Sequence, residues 1–163
     1  MRIRRYRRSD LESVRALHRI CLAQVGLAPG DGVYYEDDFP RIGEIYIAAK
    51  GEFLVGDLSC GRVVAMGGLR RVDSGTAEMC RMRVHPDFQR RGLGDRMVAE
   101  LERRAIELGY HRLCADTTLN QLAAIELYRK YGWRETRREE RGEHVVIYIE
   151  KDNLIPAVRP LVD

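Results

Sequence analysis

Chemistry in this chain concentrates in Val84-His85-Pro86-Asp87-Phe88-Gln89-Arg90-Arg91-Gly92-Leu93-Gly94-Asp95-Arg96-Met97, where an apolar strand runs through a proline turn into a glycine loop and then a helix. Gly92 and Gly94 carry no side chain to block the backbone. The N–H groups between Gln89 and Asp95 can therefore converge on one anion, while the new helix turns its positive end toward it. Arg90 and Arg91 add cationic donors at the rim, so the segment reads as a phosphate cradle. A Rossmann loop would need a third glycine where Met97 stands, and a Walker loop would need a lysine after Gly94. Neither is present.

A glycine pair alone is also an ordinary strand-to-helix turn, but its context here is more specific. The string Gln89-x-x-Gly92-x-Gly94 resembles the acetyl-coenzyme A signature of the GNAT superfamily of N-acetyltransferases, (Arg/Gln)-x-x-Gly-x-(Gly/Ala), and follows a Val-x-Pro strand end. A second block, Leu113 to Trp133, resembles that superfamily's other hallmark: strand, polar turn, a helix carrying Ala124-x-x-Leu127-Tyr128, then Tyr131-Gly132-Trp133. The resemblance covers about residues 1 to 150. It implies an α/β GNAT fold (the acyl-CoA N-acyltransferase fold): a mixed, mostly antiparallel central sheet of about seven strands flanked by about four helices. It also implies acetyl-coenzyme A as co-substrate, with no metal, and transfer of acetyl directly to a primary amine of a small molecule or peptide.

Such a transfer needs a neutral amine beside the thioester, a polarised carbonyl oxygen and a proton for the departing thiolate. In enzymes this chain resembles, core strands after the meander splay apart and the pantetheine arm pairs with exposed backbone in the gap. Met82, Arg83 and Val84 should supply that edge, with a main-chain N–H near Met82 or Arg83 polarising the carbonyl. The resemblance assigns the coenzyme's phosphates to Gln89, Arg90, Arg91, Gly92, Leu93, Gly94 and Asp95. It puts Gln121 and Ala124 of the following helix near the coenzyme, with Asn120 as a neighbour. Tyr128 matches the family tyrosine that approaches the coenzyme sulfur, so it is the candidate general acid; a purely packed core tyrosine is the alternative. For the base, Glu78 ranks ahead of Asp116, and both have a plainer reading as solvent-facing or turn-capping carboxylates. A different class of function also fits the motifs: a non-catalytic acyl-coenzyme A sensor or structural subunit.

Composition limits the alternatives. At 163 residues the chain suits one domain, and 45% hydrophobic with 33% charged residues is ordinary for a soluble protein. No apolar run reaches the length of a membrane span, and Met1-Arg2-Ile3-Arg4-Arg5 leads into no signal-peptide core, which points to the cytoplasm. Cys21, Cys60, Cys80 and Cys114 form no Cys-x-x-Cys pair and read as buried reduced thiols. The cluster Arg2, Arg4, Arg5, Arg7 and Arg8 reads as a solvated strand face rather than a nucleic-acid site, given a net charge of only +3. Neither nucleic acid nor membrane is expected as a partner, and a homodimer is left open.

The elements that must position these residues follow in order. A strand over 2–7 precedes a capping box, Ser9-Asp10-Leu11-Glu12, that opens a helix with Leu11, Val14, Leu17, His18 and Cys21 on one face. Gly26 to Gly32 breaks it, and a short acidic helix is expected around Tyr34 to Ile42, its run Glu36-Asp37-Asp38 read as a solvated face. Strands over 52–58, 62–71 and 76–84 form an antiparallel meander. The helix after the glycine loop buries Leu93, Met97, Val98, Leu101, Ala105 and Leu108 and stops at Gly109. A parallel strand over 112–117, a helix over 120–130 and a last strand over 143–151 complete one domain, 1–152, with 153–163 as a C-terminal extension. The acceptor pocket is expected between the loop 26–33 and a loop at 137–142.

Overall fold

Short polar turns fold the chain back twice between residues 52 and 84, and the resulting meander is the centre of the sheet. The computed structural model describes residues 1–154, so most of the expected C-terminal extension, 155–163, lies outside the described residues. Seven strands, β1 (Arg2–Arg5), β2 (Glu52–Asp57), β3 (Val63–Arg71), β4 (Thr76–Val84), β5 (Arg112–Thr118), β6 (Arg134–Arg141) and β7 (His144–Lys151), form one sheet in the order β1-β2-β3-β4-β5-β7-β6. Every neighbouring pair is antiparallel except β4 and β5, which are joined through α2 (Leu93–Glu107). The other helices are α1 (Leu11–Gln24) and α3 (Leu122–Lys130). Among the described residues no helix is long and apolar enough to cross a membrane.

Both faces of the sheet are covered. Met97, Val98, Leu101 and Ala105 of α2 pack with Leu69, Met79, Leu113 and Ile147 on one side. On the other, Val14 and Leu17 of α1 join Phe39, Tyr46, Phe53, Val55 and Met66. All six residues of β2 and the first seven of β3 are buried, the continuous pattern of a strand covered on both faces. Gly109 ends α2 with φ +91°, the left-handed conformation glycine adopts without strain.

Several expectations are corrected. Ser9 and Glu12 form no capping box. The chain enters α1 through a 3₁₀ turn at Arg8–Asp10, and the buried Asp10 carboxylate accepts the Arg7 N–H at 2.7 Å. The short acidic helix is instead a 3₁₀ turn at Phe39–Arg41 followed by a π turn at Gly43–Ile47. Residues 137–142 are not mainly loop: Arg137 to Arg141 belong to β6, an edge strand of alternating charges paired only with β7. The β1 arginines are ion-paired with buried carboxylates rather than simply solvated. Arg4 bonds Asp10 (2.8 Å) and Asp57 (2.7 Å), and Arg5 bonds Glu52 (2.8 Å). Of the four cysteines only Cys21 is fully buried, while Cys60 is exposed because it sits in the turn between β2 and β3.

Candidate active site

The site lies where β4 and β5 part. They pair only at Thr76–Arg112, Ala77–Leu113 and Glu78–Cys114, so beyond Glu78 each strand turns an unpaired edge toward the gap. Along β4 the inward set is Ala77 and Met79, then Met82 and Val84, which is a change of phase. An extra residue absorbs it. Cys80 faces Gly68 and Arg83 faces Met66, so Arg81 and Met82 share Gly67, and Arg81 takes φ +57°. That conformation is unfavourable for arginine and is held by ion pairing: Nε and Nη2 donate to Asp38 at 3.0 and 2.9 Å. The Tyr46 hydroxyl also donates to Asp38, and the Cys80 thiol reaches the Tyr46 hydroxyl at 3.5 Å.

A cavity of about 380 Å³ occupies the gap. Glu78, Met82 and Arg83 of β4, Asp116 of β5, and Gln121, Ala124 and Tyr128 of α3 all line it, so the structure brings together these sequence-selected residues. Leu27 and Val33 from the 26–33 segment and Arg141 at the end of β6 form its outer walls. Tyr128 is 5% exposed, packs its ring 5.0 Å from that of Trp133, and its hydroxyl bonds no described residue. Burial drives its pKa above the ordinary phenol value, with the charges of Cys80 and Asp116 adding to this and Arg83 opposing it, so it stays protonated. The Asp116 carboxylate likewise bonds no described residue and caps no turn. Partial loss of hydration against the cavity wall, and then the Glu78 charge, raise its carboxyl above the usual value, although solvent still reaches it. Glu78 has one oxygen, Oε2, committed to Arg70, at 3.1 Å from Nε and 2.5 Å from Nη2.

The glycine loop follows the end of β4. Gln89 fastens it by donating to Val84 O at 2.9 Å and exchanging bonds with Gln24 of α1, so its side chain holds the loop rather than standing free. Arg90 (φ +58°) and Gly92 (φ +73°) curl the backbone, and the N–H groups from Arg90 to Gly94 donate to no described residue. Five such donors at the start of a 15-residue helix form an anion site in need of an anion. The two glycines serve different ends, which corrects the expectation that both simply bare the backbone. A Cβ at Gly92 would meet nothing within 4 Å, whereas one at Gly94 would come 3.1 Å from Leu127 Cδ2, so Gly94 makes room for α3. Asp95 is paired with Lys130 and its carbonyl accepts from the Tyr131 hydroxyl at 3.1 Å, which ties α2 to α3. The Asn120 amide turns to Val25 O at 3.3 Å and does not line the cavity.

Sequence reasoning missed His18, Arg70, Arg81 and Tyr46 as cavity residues. The phase change between Met79 and Met82 was the readable signal for the bulge that aims Arg81. His18 gave none, since it continues the apolar stripe of α1. It is fully buried between Tyr34 and Phe39, with Nε2 2.8 Å from Tyr35 O, and burial together with the charges of Arg83 and Arg81 pushes its pKa down to about 3.

Comparison with known proteins gives a consistent picture. Residues 12–133 match the sequence model of the Acetyltransferase (GNAT) family. A search of curated proteins by sequence gives no match. Among solved structures, an acetyltransferase of GNAT family from Staphylococcus aureus Mu50 has a TM-score of 0.82 at 18% identity, over 94% of this chain and 99% of that one. The yncA protein of Salmonella typhimurium, solved with its cofactor acetyl-CoA, has 0.73 at 21% identity over 100% and 98%. Ribosomal-protein-alanine N-acetyltransferase from Brucella melitensis has 0.72 at 21% identity over 93% and 99%. At these identities the likeness is one of fold.

Proposed function

This chain belongs to the acetyltransferase (GNAT) family, and on that premise we propose that its single domain, residues 1–152, moves the acetyl group of acetyl-coenzyme A directly onto a primary amine. The observation that carries this reading is that β4 leads directly from the cavity to the glycine loop. Unpartnered N–H donors from Arg90 to Gly94 stand at one end, and a cavity holding Tyr128 and Asp116 lies at the other. A pyrophosphate fits the donors, because no Cβ blocks Gly92 and the helix start favours negative charge. The unpaired β4 edge beyond Glu78 suits an amide-bearing arm that needs backbone partners.

The chain's own groups then divide the chemistry. Asp116 takes a proton from the acceptor ammonium, which frees the nitrogen lone pair. Glu78 is the rival base, with Arg70 already bonded to one of its oxygens. The nitrogen forms a bond to the thioester carbonyl carbon, and the negative charge that develops on oxygen is met by a main-chain N–H near Met82 or Arg83. As the carbon–sulfur bond breaks, the Tyr128 hydroxyl supplies a proton to the thiolate. Its raised pKa means that the hydroxyl still carries its proton at neutral pH when the thiolate forms. The acetylated nitrogen gives up its remaining extra proton to solvent.

Calorimetry with acetyl-coenzyme A and a thiol-release assay over a panel of amines test this together. Binding with an acceptor-dependent rate is the expected result. Tight binding with no rate on the whole panel would overturn it in favour of a non-catalytic acyl-coenzyme A sensor.

A further inference from the structure

Three of the four arginines that line the cavity have a carboxylate partner. Arg70 is matched by Glu78, Arg81 by the buried Asp38, and Arg141 by Glu139 at 3.2 Å. Arg83 meets no carboxylate among the described residues. Among the described residues its one hydrogen bond runs from Nη1 to the neighbouring Met82 O at 2.7 Å, and its Nε is buried with no partner. Met82 and Val84 on either side pack against the α2-side core, so the Arg83 side chain turns to the opposite face, toward α1. There it lines the cavity with His18, whose buried Nδ1 is also unpartnered; with Nε2 donating to Tyr35 O, Nδ1 is a bare acceptor.

An arginine shielded from water without a counter-ion destabilises a fold, and although Arg83 is only half-buried, loss of hydration lowers its guanidinium pKa, with Arg81 repelling it further. Packing does not explain the residue, since an apolar side chain would fill the same volume without that cost. The phosphate site does not explain it either, because that site has its own donors from Arg90 to Gly94 on the far side of Val84. An unpaired charge in a cleft beside the reacting groups is the mark of a ligand contact.

Resting on the acetyl-transfer reading above, we propose that the acceptor is a zwitterion, a free amino acid or close analogue, whose carboxylate pairs with Arg83 while its amine faces Asp116 and Tyr128. The guanidinium fork matches a planar carboxylate, and Nη2 bonds no described residue, so it is free to meet one. Asp116, which like Asp37 lines the cavity without an ion pair, is complementary to the ammonium end before that end loses its proton. The same arrangement disfavours the other acceptor classes. A polyamine or aminoglycoside would set further positive charge against Arg83 and Arg81, and a peptide N-terminus would bring a neutral amide where a charge is required.

The test compares free amino acids with their amides, their decarboxylated amines, spermidine and kanamycin, using thiol release by the coenzyme-loaded protein. The best free amino acid should exceed its own amide by about tenfold or more in kcat/KM, the size of one charge-assisted contact of about 1.4 kcal/mol. In Arg83→Gln that ratio should collapse toward one, chiefly through KM. The variant should unfold no earlier than the parent, because it loses a half-buried, unpaired charge; Arg83→Met repeats the measurement should glutamine pack poorly. The proposal is overturned if amides, spermidine or kanamycin serve at least as well as free amino acids, if the ratio survives in Arg83→Gln, or if the coenzyme-loaded protein acetylates no amino acid. Failure to bind acetyl-coenzyme A by calorimetry would instead defeat the acetyl-transfer reading and this proposal with it, so the two failures are told apart.

Discussion

Replacing Tyr128 by phenylalanine separates a proton donor from a packed ring. The ring packs against Trp133 at 5.0 Å and is almost wholly buried, and phenylalanine keeps both features. The hydroxyl bonds no described residue, so its removal breaks no internal hydrogen bond, and the fold should change by less than about 1 kcal/mol, roughly 2–4 °C in a chain of this size. If the hydroxyl protonates the leaving thiolate, turnover falls about ten- to a thousandfold, or roughly 1.4–4 kcal/mol of barrier. Coenzyme affinity by calorimetry should be little altered. Tyr128→Ala provides the contrast: it empties the wall between the cavity and Trp133 and should cost about 3–5 kcal/mol of stability. Turnover at saturating acetyl-coenzyme A and amine, measured beside thermal unfolding, reads both quantities. A Tyr128→Phe protein that keeps more than half the parent rate would refute the general-acid role, and a large fall in its melting temperature would show that the hydroxyl has a structural partner.

The two glycines should separate affinity from stability. Gly92→Ala forces a side chain into φ +73° and misaligns the loop donors, so calorimetry should show coenzyme binding weakened about tenfold with a strain cost near 1–2 kcal/mol, whereas Gly94→Val should mainly lower the melting temperature by crowding Leu127. Unchanged affinity in folded Gly92→Ala would remove the anion-site assignment. Asp116 binds its proton more tightly folded than unfolded, so its contribution to stability is present below the unfolded pKa near 3.8 and is lost as pH rises through the higher folded value. At pH 7 its charge therefore opposes folding. Asp116→Asn should unfold no earlier than the parent while losing about a hundredfold in turnover, and the acid limb of the parent's turnover should fall above the ordinary aspartate range. A larger turnover loss in Glu78→Gln, with Asp116→Asn nearly active, would transfer the base to Glu78.

How legible each part was in the sequence follows from the range of the interaction that fixes it. The glycine loop, α2 and the parallel pair β4–β5 are set by local turn chemistry and by apolar spacing of 3.6 or 2 residues, and all were readable. β6 was not, because Arg134 to Arg141 carry charge at seven of eight positions and show no alternation; only pairing with β7 makes the segment a strand, and charge suits an unpaired edge. The run Glu36-Asp37-Asp38 misled for the same reason. Only Asp37 is an exposed acid there, while Asp38 is buried against Arg81, 43 residues away, and Glu36 accepts from Arg19 at 2.6 Å. Burial of a charge is decided by its partner, and the partner's distance along the chain leaves no local trace. The converse argument has more force. Asp10, Asp38, Glu52 and Asp57, the buried carboxylates among the described residues, each meet an arginine at 3.1 Å or less. Three of the four arginines that line the cavity have a carboxylate partner, and Arg83, with a buried donor and no carboxylate among the described residues, is the exception that a bound acid would explain.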